Sequence, residues 1–260
     1  MGVVLAMAKA TYRESIRQRV LLVVLLLGLL LIAVSVAFSY LSTGEEFRFV
    51  VDFGLVGITL VGLGLAVILG GFMIPNEVER RVIFTVLTKP VSRMQYILGK
   101  FLGACAVIFV IDLLVGLAFV AAYAFKHPQG WQGLSWMVPM AIFAIYLQTT
   151  ILLAVALMLS TLASPVFTMI ATGFVYIIGA VNSSVTYLGN RADSLGTRLV
   201  FSVLSKLIPA FNNFDLRPAL LNDQPIQFWP YLGQHVLLYT VFYVLVMLSI
   251  AWLLFNEREF

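Results

Sequence analysis

Apolar runs long enough to cross a bilayer recur along the chain, separated by short polar stretches. A spanning helix needs about 20 largely apolar residues. Val20–Leu41 carries no charge and meets that length. Phe53–Pro75 is uncharged and rich in glycine, and Phe101–Phe125 carries the single charge Asp112. From Pro128 to Asn190 there is no Asp, Glu, Lys or Arg. At about 1.5 Å per residue that stretch is too long for one crossing. The polar break Ser160-Thr161-Leu162-Ala163-Ser164-Pro165 divides it, with Pro165 suited to a first helical turn, where no amide donor is needed. The pattern therefore predicts Trp136–Leu159 and Pro165–Val185 as the fourth and fifth spans, and Tyr231–Phe255 as the sixth. The expected fold is an all-α integral membrane protein in one membrane domain, 1–260.

The 260 residues are 62% hydrophobic and 11% charged, against about a quarter charged in a soluble domain. The first apolar run is too long for a signal-peptide core of roughly 7–15 residues, so it is expected to be a retained span and not a cleaved leader. The net charge of +4 points to basic loops held on the cytoplasmic side, not to nucleic acid. Six crossings put both termini on one side. Lys9, Arg13, Arg17, Arg19, Arg80, Arg81, Lys89, Arg93, Lys100 and Arg258 then fall inside, whereas most of the outer basic residues lie in the long loop 186–230. Both termini are thus predicted to be cytoplasmic.

Segments outside the spans also have helical character. In 1–19, Leu5, Ala8, Tyr12 and Ile16 form an apolar stripe beside Lys9, Arg13 and Arg17. This suits a helix lying in the headgroup layer, or a plain charged anchor. In the outer loop, Leu195, Leu199, Val203 and Leu207 share a face opposed to Arg198, Ser202 and Lys206, which predicts a short amphipathic helix ended by Pro209.

No phosphate loop G-x-x-x-x-G-K-[ST] is present, so ATP hydrolysis is not expected in this chain. No H-E-x-x-H or G-x-S-x-G occurs, and His127, His235, Met137 and Met140 are scattered, so no metal site and no catalytic residue is assigned. Lone Cys105 allows no intrachain disulfide.

The link 76–93 carries the most information. Glu77, Glu79, Arg80 and Arg81 open it, the apolar Val82, Ile83, Phe84, Val86 and Leu87 follow, and Lys89-Pro90 closes it. An apolar patch rimmed by charge fits a docking helix for a cytosolic partner; packing on the membrane surface fits the same pattern. The run Glu77-x-Glu79-Arg80-Arg81, then Thr85-x-Leu87-x-Lys89-Pro90-Val91-x-Arg93 and Gly99-Lys100-Phe101, resembles the first cytoplasmic loop of ABC transporter type-2 permeases, in the style of the NosY-like group associated with copper-enzyme maturation. The outer-loop run Ile208-Pro209-x-Phe211-x-x-Phe214-Asp215-Leu216-Arg217 and the tail Phe255-x-x-Arg258-Glu259-Phe260 extend the resemblance.

The resemblance implies the permease subunit of an ATP-driven exporter in a bacterial or archaeal inner membrane. It implies pairing with a second copy or a paralogous permease and with two cytosolic ATPase subunits that hold ATP and Mg, with room for accessory periplasmic or membrane proteins. It places a coupling helix on Glu77, Glu79, Arg80, Arg81 and Phe84, and it names no substrate. A small ion-coupled carrier using Asp112, and a non-transporting anchor or assembly factor for an ATPase partner, are the competing readings.

Two features inside the spans are candidates. Thr168, Thr172, Tyr176, Gly179 and Ser183 share one arc of the fifth span, fitting a dimer seam, a transport path or ordinary bundle packing. Asp112 sits at a depth similar to Gln148, Thr149 and Thr150. It is expected either to hydrogen-bond to one of these or to serve as a cation or proton site.

Overall fold

The computed structural model describes residues 2–41, 44–75, 92–191, 195–222, 227 and 229–257. Among these, every regular element is helical: α1 (Gly2–Ile16), α2 (Arg19–Ser39), α3 (Glu46–Met73), α4 (Arg93–Lys126), α5 (Met137–Ser160), α6 (Pro165–Ala180), α7 (Asn182–Arg191), α8 (Leu195–Leu207), α9 (Arg217–Leu221) and α10 (Leu238–Glu257). Tight 3₁₀ turns form at Gly130–Gly133 and Phe211–Phe214, and a π-helical stretch, Pro230–Leu237, runs into α10. Helices α2 to α5 and the continuous Pro230–Asn256 helix are long and apolar enough to cross a membrane. A sixth crossing results if α6 and the start of α7, bent by 54° at their junction, form one span. The chain is an all-α integral membrane protein.

Helix α5 is the axis of the bundle. Every residue from Leu147 to Leu157 is buried, the condition of a helix apolar all round and enclosed by neighbours. Helix α2 shows the opposite arrangement. Its inward stripe is Leu21, Val24, Gly28, Ile32, Ser35 and Ser39, while Leu22, Val23, Leu26, Leu27 and Leu30 point outward. Lipid is as apolar as leucine, so small residues gather where helix backbones must approach. Helix α3 follows the same rule against α5. A Cβ on Gly62 would run into Thr149, and one on Gly70 into Ala156.

The start of α4 is closed by a reciprocal cap. Ser92 Oγ accepts from the Gln95 amide at 3.2 Å, and Gln95 Oε1 accepts from the Ser92 amide at 3.1 Å. Arg93 Nη1 then donates to the carbonyls of Phe255 (2.8 Å) and Asn256 (2.9 Å), orphan acceptors at the end of α10. Tyr96 stacks on Phe255 with ring centroids 5.6 Å apart. These contacts put the first turn of α4 and the last turn of α10 at one end of the bundle, where α1 also packs.

Helix α1 turns a face other than its apolar stripe toward the bundle. Thr11 and Ser15 are its buried residues, while Leu5 is 74% exposed. The reason lies on α4. A Cβ on Gly99 would fall 2.6 Å from Met7 Cβ, and one on Gly103 2.6 Å from the Ala8 carbonyl oxygen. The two glycines form a groove that takes Met7, Ala8 and Thr11 close against α4 and leaves Leu5 and Ile16 for the surroundings.

At the far end, Lys126 Nζ bonds Glu46 Oε2 at 2.6 Å and lies 3.3 Å from the centroid of Tyr40. Helix α8 occupies the predicted stretch, but the side chains of Leu195, Leu199, Val203 and Leu207 lie outside the described part.

Candidate functional site

Two features of the bundle carry unusual chemistry: a roofed cavity at the far end and a buried acid between α4 and α5. The cavity begins with the break in the fifth crossing. Helix α6 starts on Pro165 after the polar stretch 160–164 and stops at Ala180. The backbone groups freed at the bend are taken up by side chains. Asn182 Nδ2 donates to the Ile208 carbonyl at 2.9 Å and to the Ser205 carbonyl at 3.1 Å, closing the end of α8. Asn212, with its amide in the orientation its neighbours require, donates to the Ala180 carbonyl at 2.6 Å and accepts from the Ser183 amide at 3.0 Å. The bend is thus a built joint, since buried polar backbone groups demand partners.

The segment 208–217 forms the roof. Phe211, Phe214 and Leu216 are buried, and the Ala210 amide donates to Tyr239 Oη at 3.0 Å. Phe211 lies on Gly179, where a Cβ would strike the ring and come within 2.8 Å of the Pro209 carbonyl. Arg217 grips Asp215 through Nε (2.8 Å) and Nη2 (2.6 Å), and its amide donates to the same carboxylate at 3.0 Å. Burial alone would raise the Asp215 pKa. The bonds from Arg217 overcome that and hold it below the usual value. Beneath the roof is a cavity of about 110 Å³ between α3, α5 and α6, with Thr59, Gln148, Tyr176, Asn212, Asp215 and Arg217 among its walls.

The arc expected on the fifth span divides at this joint. Thr168, Thr172 and Gly179 are buried inside the chain's own bundle, so they cannot form a seam with a second copy. Tyr176 reaches the cavity, and Ser183 lies beyond the bend against Asn212. The face α6 leaves open is the opposite one, with Val166, Phe167, Ile170, Phe174 and Ile177. Periodicity alone marks two faces and does not say which one the neighbours take; Met169 of α6 against Gly71 of α3 settles the rotation.

Asp112 is 1% exposed. The expected bond to Gln148 or a threonine is absent: neither carboxylate oxygen has a partner among the described residues. Thr149 and Thr150 spend their hydroxyls on the carbonyls of Ile145 and Tyr146, each at 2.9 Å. Gln148 stands about 200° round α5 from Tyr146, the α5 residue beside the acid, and so faces the roofed cavity instead. Similar depth was legible in the sequence; helix phase was not.

Glu77, Glu79, Arg80, Arg81 and Phe84 lie outside the described residues, as does the tail from Arg258. The described structure fixes both flanks of that link. One is the end of α3 at Ile74 and Pro75; the other is the capped, Arg93-anchored start of α4. Among the described residues no His, Cys, Asp and Glu group gathers with the spacing of a metal site. His127 stacks on Tyr123 at 5.5 Å.

A multi-pass helical membrane protein is the class this geometry defines. Residues 5–260 match the family described as ABC-2 family transporter protein, and the chain belongs to that family. Membership makes it a membrane subunit of a kind that pairs with a cytosolic ABC ATPase. No curated protein matches the sequence.

Proposed function

We propose that this chain is the permease subunit of an ATP-driven exporter, a single membrane domain of the NosY-like style with both termini cytoplasmic. In this reading residues 76–93 are the coupling segment, and Glu77, Glu79, Arg80, Arg81 and Phe84 engage the ATPase. ATP and Mg belong to that partner. The observation that carries the proposal is the anchoring of the link's second flank. The first three turns of α4 are tied to α10 by Arg93 and Tyr96, and to α1 through Gly99 and Gly103. A push on the link therefore moves three helices as one body, while α3 at the other flank moves against α5. A ligand-driven partner that prefers one of two such packings shifts their populations.

The roofed cavity supplies the other half of the reading. Tyr176, Gln148 and Thr59 line a small, partly polar space with Phe211 and Phe214 in its wall, where an outer gate would stand. The alternative of an ion-coupled carrier is supported less well. The groove over Asp112 is walled by Phe109, Leu113, Leu117, Ile142 and Phe143, without the polar lining an ion path needs.

The test uses the chain co-purified with its ATPase in vesicles. Glu77→Lys or Phe84→Ala should abolish coupled ATPase stimulation while leaving the chain's own fold intact. A cysteine at position 84 should react with a membrane-impermeant maleimide from the cytoplasmic face only. Labelling from the outer face, or undiminished stimulation in both variants, sinks the proposal.

A further inference from the structure

Asp112 stands where the bundle gives it nothing to bond. Both carboxylate oxygens are buried and unpartnered among the described residues. The acid forms the floor of a groove of about 230 Å³ between α4 and α5. One wall is Leu113 and Leu117, which are 46% and 58% exposed, so the groove opens sideways toward the surface that lipid covers. The other wall is aromatic. Phe109 meets Tyr146 edge-on at 5.4 Å between centroids, and Phe143 lies 6.0 Å from the same ring. Gly116 lets Ile142 pack down on α4 beside the acid; a Cβ there would sit 2.8 Å from Ile142 Cγ2.

We propose that this groove is a lateral binding site for a lipophilic amine, with its hydrocarbon part between Leu113, Leu117 and Phe143 and its nitrogen on Asp112. Three features select that chemistry. An acid without donors needs N–H or O–H groups, and an ammonium brings up to three. The aromatic rings of Phe109, Phe143 and Tyr146 line the groove, and aromatic walls favour a cation over a neutral head. The remaining walls accept only hydrocarbon. Amine plus carboxylic acid and ammonium plus carboxylate carry the same proton, so binding needs no further reactant. The site does not depend on the coupling proposed above, because it is measured without ATP or ATPase.

The experiment places the full-length chain in lipid nanodiscs and treats it with dicyclohexylcarbodiimide, a lipophilic reagent for carboxyls in apolar surroundings. Peptide mass spectrometry reads the modification at Asp112. The expected result is modification of Asp112 that dodecylamine blocks and decane, at the same mole fraction in the bilayer, does not. Asp112→Asn should weaken dodecylamine binding about tenfold or more, the value of a hydrogen bond to a charged group. Where that variant does not fold, Leu117→Trp decides: it narrows the exposed mouth without touching the acid, and should slow the modification with an unchanged helical spectrum. Three outcomes overturn the proposal. Protection by decane equal to that by dodecylamine makes the groove a hydrocarbon slot only. An unmodified Asp112 means the acid is sealed by another element. An unchanged modification rate in Leu117→Trp means the groove is not the way in.

Discussion

Gly70 and Gly64 lie on the same helix, less than two turns apart, and a single methyl group should act on them in opposite directions. In Gly70→Ala the new Cβ collides with Ala156 Cβ and comes within 3.3 Å of the Ala156 Cα and carbonyl carbon. The obstacle is backbone, so no rotamer change relieves it. Restoring carbon–carbon separations of about 3.5–4.0 Å requires α3 and α5 to part by about 1 Å, and a gap of that size forfeits a quarter to a half of each contact along the line. Overpacking of this kind costs about 1–3 kcal/mol. The higher helix propensity of alanine returns up to about 1 kcal/mol. At Gly64 nothing lies within 4 Å of the added carbon, so only the propensity gain remains. The two variants should therefore differ by about 1–3 kcal/mol, with Gly64→Ala at or above the parent and Gly70→Ala below it. Reversible unfolding of the detergent-solubilised chain in mixed micelles of increasing SDS fraction, followed by tryptophan fluorescence, measures the difference. Equal midpoints for the two would refute the close α3–α5 packing.

Three further outcomes follow from contacts at the two ends. Arg93→Met leaves the Phe255 and Asn256 carbonyls without their donor and should cost about 1–2 kcal/mol in the same unfolding assay, discounted for partial exposure; in the assembled transporter it should also lower ATP-driven activity more than binding of the ATPase. Asn182→Ala frees the carbonyls at Ser205 and Ile208 and should cost about 1 kcal/mol, with faster amide exchange in segment 208–217. Asp215 is held below its ordinary pKa of 3.8, so the stability it contributes is complete above that value and is lost as pH falls through the lower folded one. Unfolding midpoints should fall as the pH drops below about 3.8, and Asp215→Asn should flatten that limb.

The crossings were legible because bilayer thickness imposes a length on apolar runs, and the Ser160–Pro165 break was legible because proline and clustered hydroxyls punctuate a helix. What the pattern did not carry was rotation. The stripe Leu5, Ala8, Tyr12 and Ile16 suits the membrane-facing side of a helix in the headgroup layer. Which face of α1 meets the bundle, with Thr11 and Ser15 buried, depended on the paired glycines of α4. The arc Thr168, Thr172 and Gly179 turned inward for the same kind of reason. In water an apolar face points to the core. In lipid the signal is size and not polarity, and a small residue is marked only by what approaches it. Asp112 was recognisable as exceptional, but its surroundings depended on the phase of α5, which no spacing within α4 encodes. The roof residues Phe211, Phe214, Asp215 and Arg217 were visible as a motif, while their place in the cavity wall, and the contact of Asn212 with the bend, came from residues distant in sequence.

The joint at Val181 leaves α6 with 16 residues, a rod of about 24 Å beside hydrocarbon about 30 Å deep. The bent start of α7, Asn182–Leu188, adds the length that α6 lacks, so this crossing is completed only by turning a corner of 54°.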